Sequence, residues 1–177
     1  MGDYWEYQVY DSSSMRDHPE IPRNYTVKVT ITGVTNLLDN MEASIWRCEY
    51  PYGTELQYVE IASDTVKVYD SIRVKSITGL NFPLLTFIVP FKDKQSWKGS
   101  LLYVGNYNVT AKDSVKNAYI KFLSGYNIYH YYEGPNMEDK DLITFVPNVG
   151  FTNIYYHHFN FAPYNIYSWQ LTKYNLH

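Results

Sequence analysis

From Asn24 the chain alternates: Tyr25, Val27, Val29 and Ile31 are apolar, while Thr26, Lys28, Thr30 and Thr32 are polar. A two-residue period is the mark of a strand with one dry and one wet face. Gly33 ends that strand or bulges it. Before it, Trp5, Tyr7 and Val9 share one face of a strand from Tyr4 to Tyr10, and a polar loop opens at Asp11 and runs past Pro19 and Pro22. After it come strands from Glu42 to Tyr50, Glu55 to Ile61 and Thr65 to Tyr69, divided by turns at Leu37-Leu-Asp-Asn40, Pro51-Tyr-Gly53 and Ala62-Ser-Asp64. Short strands about ten residues apart predict an antiparallel sandwich or barrel.

The second half is less regular. Ile72 to Leu80 reads as a weak strand. Phe82 to Phe91, bracketed by Pro83 and Pro90, is apolar on both faces and is expected to be buried or covered by another element. Leu101 to Val109 is a strand interrupted by Gly105. At Ala111 to Asn117 a helix competes, because Val115, Ala118, Tyr119 and Phe122 recur at helical spacing with Asp113 or Ser114 as a cap. The alternative is a turn into a strand from Asn117 to Leu123. Tyr126 to Tyr132 is a strand, and Glu133 to Asn136 with Met137 to Asp141 reads as a polar loop. Thr144 to Tyr156 then gives an extended approach, a Pro/Asn/Gly punctuation and a strand, and Tyr167 to Tyr174 returns beside it. The sum is a single all-β domain, residues 1–177. We expect one curved antiparallel sheet, a half-barrel or partly open barrel of about nine or ten strands, with at most one short helix.

Composition narrows the function classes. The chain carries 15 Lys and Arg against 18 Asp and Glu, a net charge of −3, with no basic run. That gives no electrostatic footprint for nucleic acid, whose affinity rests on phosphate contacts. No apolar stretch approaches the roughly 18–20 residues of a membrane-spanning helix. The single cysteine, Cys48, excludes an internal disulfide; it shares a strand face with Trp46 and Tyr50 and is expected to be an inert buried thiol. Met1-Gly2 followed at once by a strand reads as a chain whose leader has been removed and replaced by an initiator Met.

Candidate chemistry is thin. His157 and His158 are neighbours on a strand and point to opposite faces, so they cannot chelate together. His130 could meet one of them across strands, but no Asp, Glu or Cys is spaced to complete a ligand set. The His side chains are expected to be exposed or at the core edge, with His18 in a loop and His177 at the terminus. There is no Gly-x-Ser-x-Gly elbow and no Gly-rich phosphate loop. Glu42, Glu49, Glu55 and Glu60 alternate with apolar residues as wet-face positions do. No catalytic residue, metal site or cofactor is predicted.

Several short motifs recur in a fixed order: Gly2-Asp-Tyr-Trp-Glu-Tyr7, Phe87-Ile-Val-Pro-Phe91 six residues before Trp97-Lys-Gly99, Asn117-Ala-Tyr-Ile120, and Phe145-Val-Pro-Asn-Val-Gly-Phe151 ahead of Trp169-Gln-Leu-Thr-Lys-Tyr174. In this order the chain resembles the secreted or lipid-anchored β-rich envelope proteins of Bacteroidetes-type bacteria, which are distantly similar to the LolA-type half-barrel lipoprotein carriers. The resemblance implies a curved antiparallel sheet and an exported protein of the periplasm, outer membrane or cell surface, with a possible lipid anchor through a removed N-terminal segment. It brings no catalytic residues. Members usually carry Gly where Asn148 stands here.

The feature with functional content is the aromatic excess: twenty Tyr, eight Phe and four Trp. Between Tyr126 and Tyr167 the rings are too dense for one core, so some must line a cavity or lie on a surface. Tyr joins an apolar ring to a polar tip, which suits a cavity wall, peptide contact or sugar stacking. The candidate ligand-binding residues are Trp5, Trp97, Tyr129, Tyr131, Tyr155 and Trp169. The expected role is non-enzymatic binding of an apolar or amphipathic ligand such as a lipid in a concave aromatic face. The alternative is a surface module that binds glycan or a protein partner.

Overall fold

A computed structural model describes residues 2–37, 40–70, 83–99, 105–134, 137–159 and 164–177. Its elements are β1 (Tyr4–Asp11), β2 (Asn24–Asn36), β3 (Glu42–Tyr50), β4 (Gly53–Ala62), β5 (Thr65–Tyr69), β6 (Leu85–Ile88), β7 (Ser96–Lys98) and β8 (Asn106–Lys112). They continue with β9 (Val115–Lys116), β10 (Lys121–Phe122), β11 (Gly125–Gly134), β12 (Met137–Val146), β13 (Gly150–Phe159) and β14 (Tyr164–Asn175). No helix occurs among the described residues.

Twelve strands form one antiparallel sheet in the order β6-β5-β4-β3-β2-β1-β14-β13-β12-β11-β8-β7. β1 to β6 and β11 to β14 each run as sequence neighbours through the sheet, β8 pairs with β11, and β1 pairs with β14 to join the two halves. The sheet curves until its edges, β6 and β7, face each other. The indole of Trp97 on β7 donates to Thr86 O on β6 at 2.9 Å, and Gln95 Nε2 donates to Ile88 O at 3.4 Å. Side chains thus bridge the one seam of a nearly closed barrel.

The strand count of nine or ten is corrected to twelve among the described residues, plus the separate pair β9 and β10. The strands missed are those with no visible alternation. β7 has three residues and β9 and β10 two each, too short to show a period. The stretch from Met137 to Asp141, expected as a polar loop, is the first half of β12. Its inner face carries Asp139 and Asp141 and its outer face Glu138 and Lys140, so both faces read as polar. The competing helix is absent: Val115 and Phe122 pair across β9 and β10 and pack against Trp5, Tyr7 and Leu171. Gly33 bulges β2 rather than ending it, since the register slips between Ile31 and Gly33 and the strand runs on to Asn36. Of the apolar run to Phe91, Phe87 and Phe91 are buried and Ile88 is half-buried at the seam. Ile72 to Leu80 and Leu101 to Tyr103 lie outside the described residues.

Alternation sets the interior. Trp5, Tyr7, Val9, Val27, Val29, Cys48 and Leu171 form one buried cluster, and Phe87, Phe91, Tyr107, Val109, Ile128 and Ile143 form another. The β9–β10 hairpin lies at the end of the barrel where β1 begins. Asn117 pins it: its side-chain amide donates to Thr152 O (3.3 Å) and Leu171 O (2.8 Å), and its Oδ1 accepts from the backbone N–H groups of Tyr119 and Ile120. Four hydrogen bonds on one buried amide satisfy backbone groups that would otherwise be left unpaired inside.

Candidate functional site

Between this hairpin and the other end of the barrel lies a cavity of about 530 Å³. Its walls come from β1 to β6 and β12 to β14. The upper wall is aromatic: Tyr25, Tyr50, Tyr156, Tyr167 and Trp169 surround it, with Trp46 and Phe87 deeper. Below it a smaller space of about 140 Å³ shares Tyr7, Trp46, Phe87 and Phe151 with the main cavity and is otherwise lined by apolar groups. Rings follow one another down from the open end. His18 stacks on Tyr52 at 4.2 Å, Tyr52 on Tyr50 at 4.9 Å, and Trp169 meets Tyr50 and Tyr7 edge-on at 6.1 and 5.7 Å.

The open end is crossed by the segment after β1. Ser12 and Ser14 donate backbone bonds to Ile166 O and Tyr164 O, which extends the β1–β14 pairing. The segment then folds over Arg16, whose Nε donates to Asp11 Oδ2 at 2.7 Å and whose Nη2 donates to Ile21 O at 2.6 Å. Burial acts to raise the Asp11 carboxyl, but bonds from Ser13 and Arg16 outweigh it and hold the group below its ordinary value. Asp11, Arg16, Asp17, His18 and Ile21 all contribute to the cavity wall.

One side of the interior holds a charged brace. His130 Nδ1 lies 2.9 Å from Asp141 Oδ2, and both side chains are about 1% exposed. His158 reaches the same carboxylate through Nε2 at 3.3 Å and reaches Asp139 through Nδ1 at 3.1 Å. Burial would raise Asp141, yet hydrogen bonds from His130 and His158 hold it below the usual carboxylate range. His158 moves the other way: burial disfavours its charge, and the two carboxylates outweigh burial and raise it. Both ring nitrogens of His158 are occupied by carboxylates, so neither is directed at the cavity as a base. His130 stacks on Tyr107 at 4.5 Å, and Tyr107 on Trp97 at 5.1 Å. Gly105 lies against this stack. A Cβ there would come within 2.5 Å of His130 Nε2 and 2.7 Å of Tyr131 O.

The expectation of exposed or core-edge His residues is therefore overturned for His130, which is buried against Asp141, with Asp139 and His158 beside them. Cross-strand register brings them in: His130 lies opposite Asp141, and Asp139 opposite His158. Alternation of two acids on one inner face was the available signal. No group of three or more His, Cys, Asp or Glu side chains among the described residues is arranged to hold a metal ion. His157 points outward and His158 inward, as the strand parity requires. Cys48 is buried on the cavity wall and its thiol is pushed up to about 12, first by burial and then by Glu55.

The six candidate residues divide by face. Trp169 lines the cavity. Trp5 lies beneath it, stacked on Trp46 at 5.3 Å with its indole N–H on Val149 O at 2.6 Å. That carbonyl belongs to the Pro147-to-Gly150 turn, where Asn148 (φ 61°) and Gly150 (φ 104°) both take positive φ. Asn is among the non-Gly residues that best tolerate this region, which suits Asn148 to the turn. Trp97 lies at the seam. Tyr129, Tyr131 and Tyr155 are not in the concave face, because they alternate with Ile128, His130 and Ile154, which point in. Instead Tyr129, Leu142 and Tyr155 lie side by side on the outer surface, 42%, 39% and 40% exposed, and Tyr129 and Tyr131 stack at 6.4 Å.

The fold and the site together define an antiparallel β-barrel with an aromatic internal cavity. Comparison with protein-family models, curated sequences and solved structures finds no match. No helix among the described residues is long and apolar enough to cross a membrane.

Proposed function

We propose that this barrel is a non-enzymatic binding protein of the bacterial cell envelope that carries an apolar or amphipathic small ligand, such as a lipid, inside the sheet. The observation that carries this reading is the cavity of about 530 Å³ with its aromatic wall. That volume lies within the roughly 300–1,000 Å³ of small-molecule sites, which are mostly apolar with a few placed polar groups. The polar groups here are concentrated toward the end crossed by the Arg16 segment, and the apolar space continues below. A ligand with one polar end and one apolar body matches that gradient. The envelope location and a lipid anchor rest on the family resemblance alone.

The experiment is native mass spectrometry of protein purified from its own envelope. A co-released small molecule of lipid-like mass, displaced by Trp169→Ala, is the expected result. Protein that carries no such molecule and whose tryptophan fluorescence is unchanged by added amphiphiles would refute the carrier role. A second reading, glycan or protein binding, draws on the outer row of Tyr129, Leu142 and Tyr155. Rings on a flat exposed sheet suit stacking on a sugar face.

A further inference from the structure

Each cation on the cavity wall is already engaged. Arg16 gives Nε to Asp11, Nη2 to Ile21 O and Pro22 O, and Nη1 to Pro19 O. The Nδ1 of His18 lies 3.0 Å from Glu20, and both nitrogens of His158 are on Asp139 and Asp141. An anionic head entering this end would meet a guanidinium and imidazoles already bonded to protein oxygens. Arg16 and His158 would have to be displaced from the buried carboxylates of Asp11 and Asp141, which is costly.

The acids are arranged differently. Asp17 is on the cavity wall, and Glu55 lies across from Cys48 at the start of β4, on the side of the strand that turns inward. Among the described residues neither forms an ion pair. Around them are the rings of Tyr25, Tyr50, Tyr52 and Tyr167, with Trp169 beneath. Aromatic faces are the negative part of the ring quadrupole and attract a cation within about 6 Å of the centroid. The phenols register the same field. Burial is the largest cause of their raised values; after it Asp11 acts on Tyr25 (about 12), Cys48 and then Glu55 on Tyr50, and Glu55, with a smaller part from Asp17, on Tyr52.

We propose that the ligand is a cationic amphiphile, with an organic ammonium head held among Tyr25, Tyr50, Tyr52 and Tyr167 beside Asp17 and Glu55, and its apolar body in the space lined by Trp46, Phe87 and Phe151. This rests on the reading of the barrel as a ligand carrier. Ring faces beside two carboxylates outside any ion pair, with the cations of the wall already bonded, favour that charge over its opposite, and the unpaired acids draw such a ligand in over the range of a Debye length.

The test compares three amphiphiles that share one tail: dodecyltrimethylammonium, dodecyl maltoside and dodecyl sulfate. Each is titrated below its micelle threshold against the intrinsic tryptophan fluorescence of the full chain. The ammonium probe is expected to bind at least tenfold tighter than the sulfate, with the maltoside between them, and added salt should narrow the gap. Asp17→Asn combined with Glu55→Gln, both at exposed positions, should weaken the ammonium probe at least fivefold and abolish its advantage over the maltoside. Equal binding of all three, or tighter sulfate binding, would overturn the cationic assignment and leave the carrier role standing. Binding of none would overturn both.

Discussion

The indole nitrogen of Trp97 donates to the carbonyl of Thr86 at 2.9 Å, across the seam between the sheet edges β6 and β7. Trp97 also stacks on Tyr107 and packs against Phe87 and Phe91. Trp97→Ala should therefore cost about 3 kcal/mol, the low end for a large aromatic, because the ring is half-buried. Trp97→Phe, which keeps the ring and loses the donor, should cost about 1 kcal/mol. Denaturant unfolding of the two variants checks both values; a loss under about 1 kcal/mol for the alanine would show that the ring contributes little to closure.

Asn117 is a second anchor with a clear outcome. Asn117→Ala removes both donors and the acceptor, and strands the carbonyls of Thr152 and Leu171 and two N–H groups. The expected cost is about 2–4 kcal/mol, from unsatisfied buried polar groups rather than lost area. Hydrogen exchange should show the amides of Tyr119 and Ile120 losing protection first.

The brace on the inner wall makes stability depend on pH in both directions. His158 is raised above its ordinary 6.5, so its contribution is complete below about pH 6.5 and is lost as pH rises through the higher folded value. Asp141 is lowered below its ordinary 3.8, so its contribution is complete above about pH 4 and is lost as pH falls through the lower folded value. The pair stabilises most between about pH 4 and 6.5. His158→Gln should remove the decline on the alkaline side, read as unfolding free energy against pH; an unchanged profile would show that His158 is not the group responsible.

Cys48 should be silent. With its thiol buried and pushed up to about 12, it should resist alkylation by iodoacetamide at pH 8 in the folded protein and react fully in guanidinium. Rapid labelling of the native state would mean that the cavity wall opens at Cys48.

The outer row separates the two binding readings. Tyr129→Ser and Tyr155→Ser should each cost no more than about 1 kcal/mol, since both rings lie on the outer surface outside the core. Neither change should alter amphiphile binding. If either abolishes it, the binding face is outside and the cavity is not the site.

Much of the fold was legible because most strands obey one period. From Trp5 to Val9 in β1, and in β2 up to the bulge near Gly33, dry and wet residues alternate. Legibility failed where polarity and parity separate. Asp139 and Asp141 face inward as acids, so β12 looked like a loop until His130 and His158 were placed opposite. Tyr155 and Tyr156 show the other failure. Both are aromatic, adjacent and compatible with either face, and only the pairing of Ile154 with Trp169 settles which one points in. The helical spacing of Val115, Ala118, Tyr119 and Phe122 was real but too short to form a helix, and Asn117 turned it into a hairpin.

In the sheet order, β1 to β6 zip pair by pair along the chain, as do β11 to β14, while β8 reaches β11 past the β9–β10 hairpin. The union of β1 with β14 is different, since it brings Tyr4 beside Asn175. That contact imposes the largest loop-closure entropy in the molecule and has to come late in assembly. Until it forms, two half-shells expose the rings of the future cavity to water and to each other's edges, so the interval before the last strand docks is when this chain is most open to aggregation.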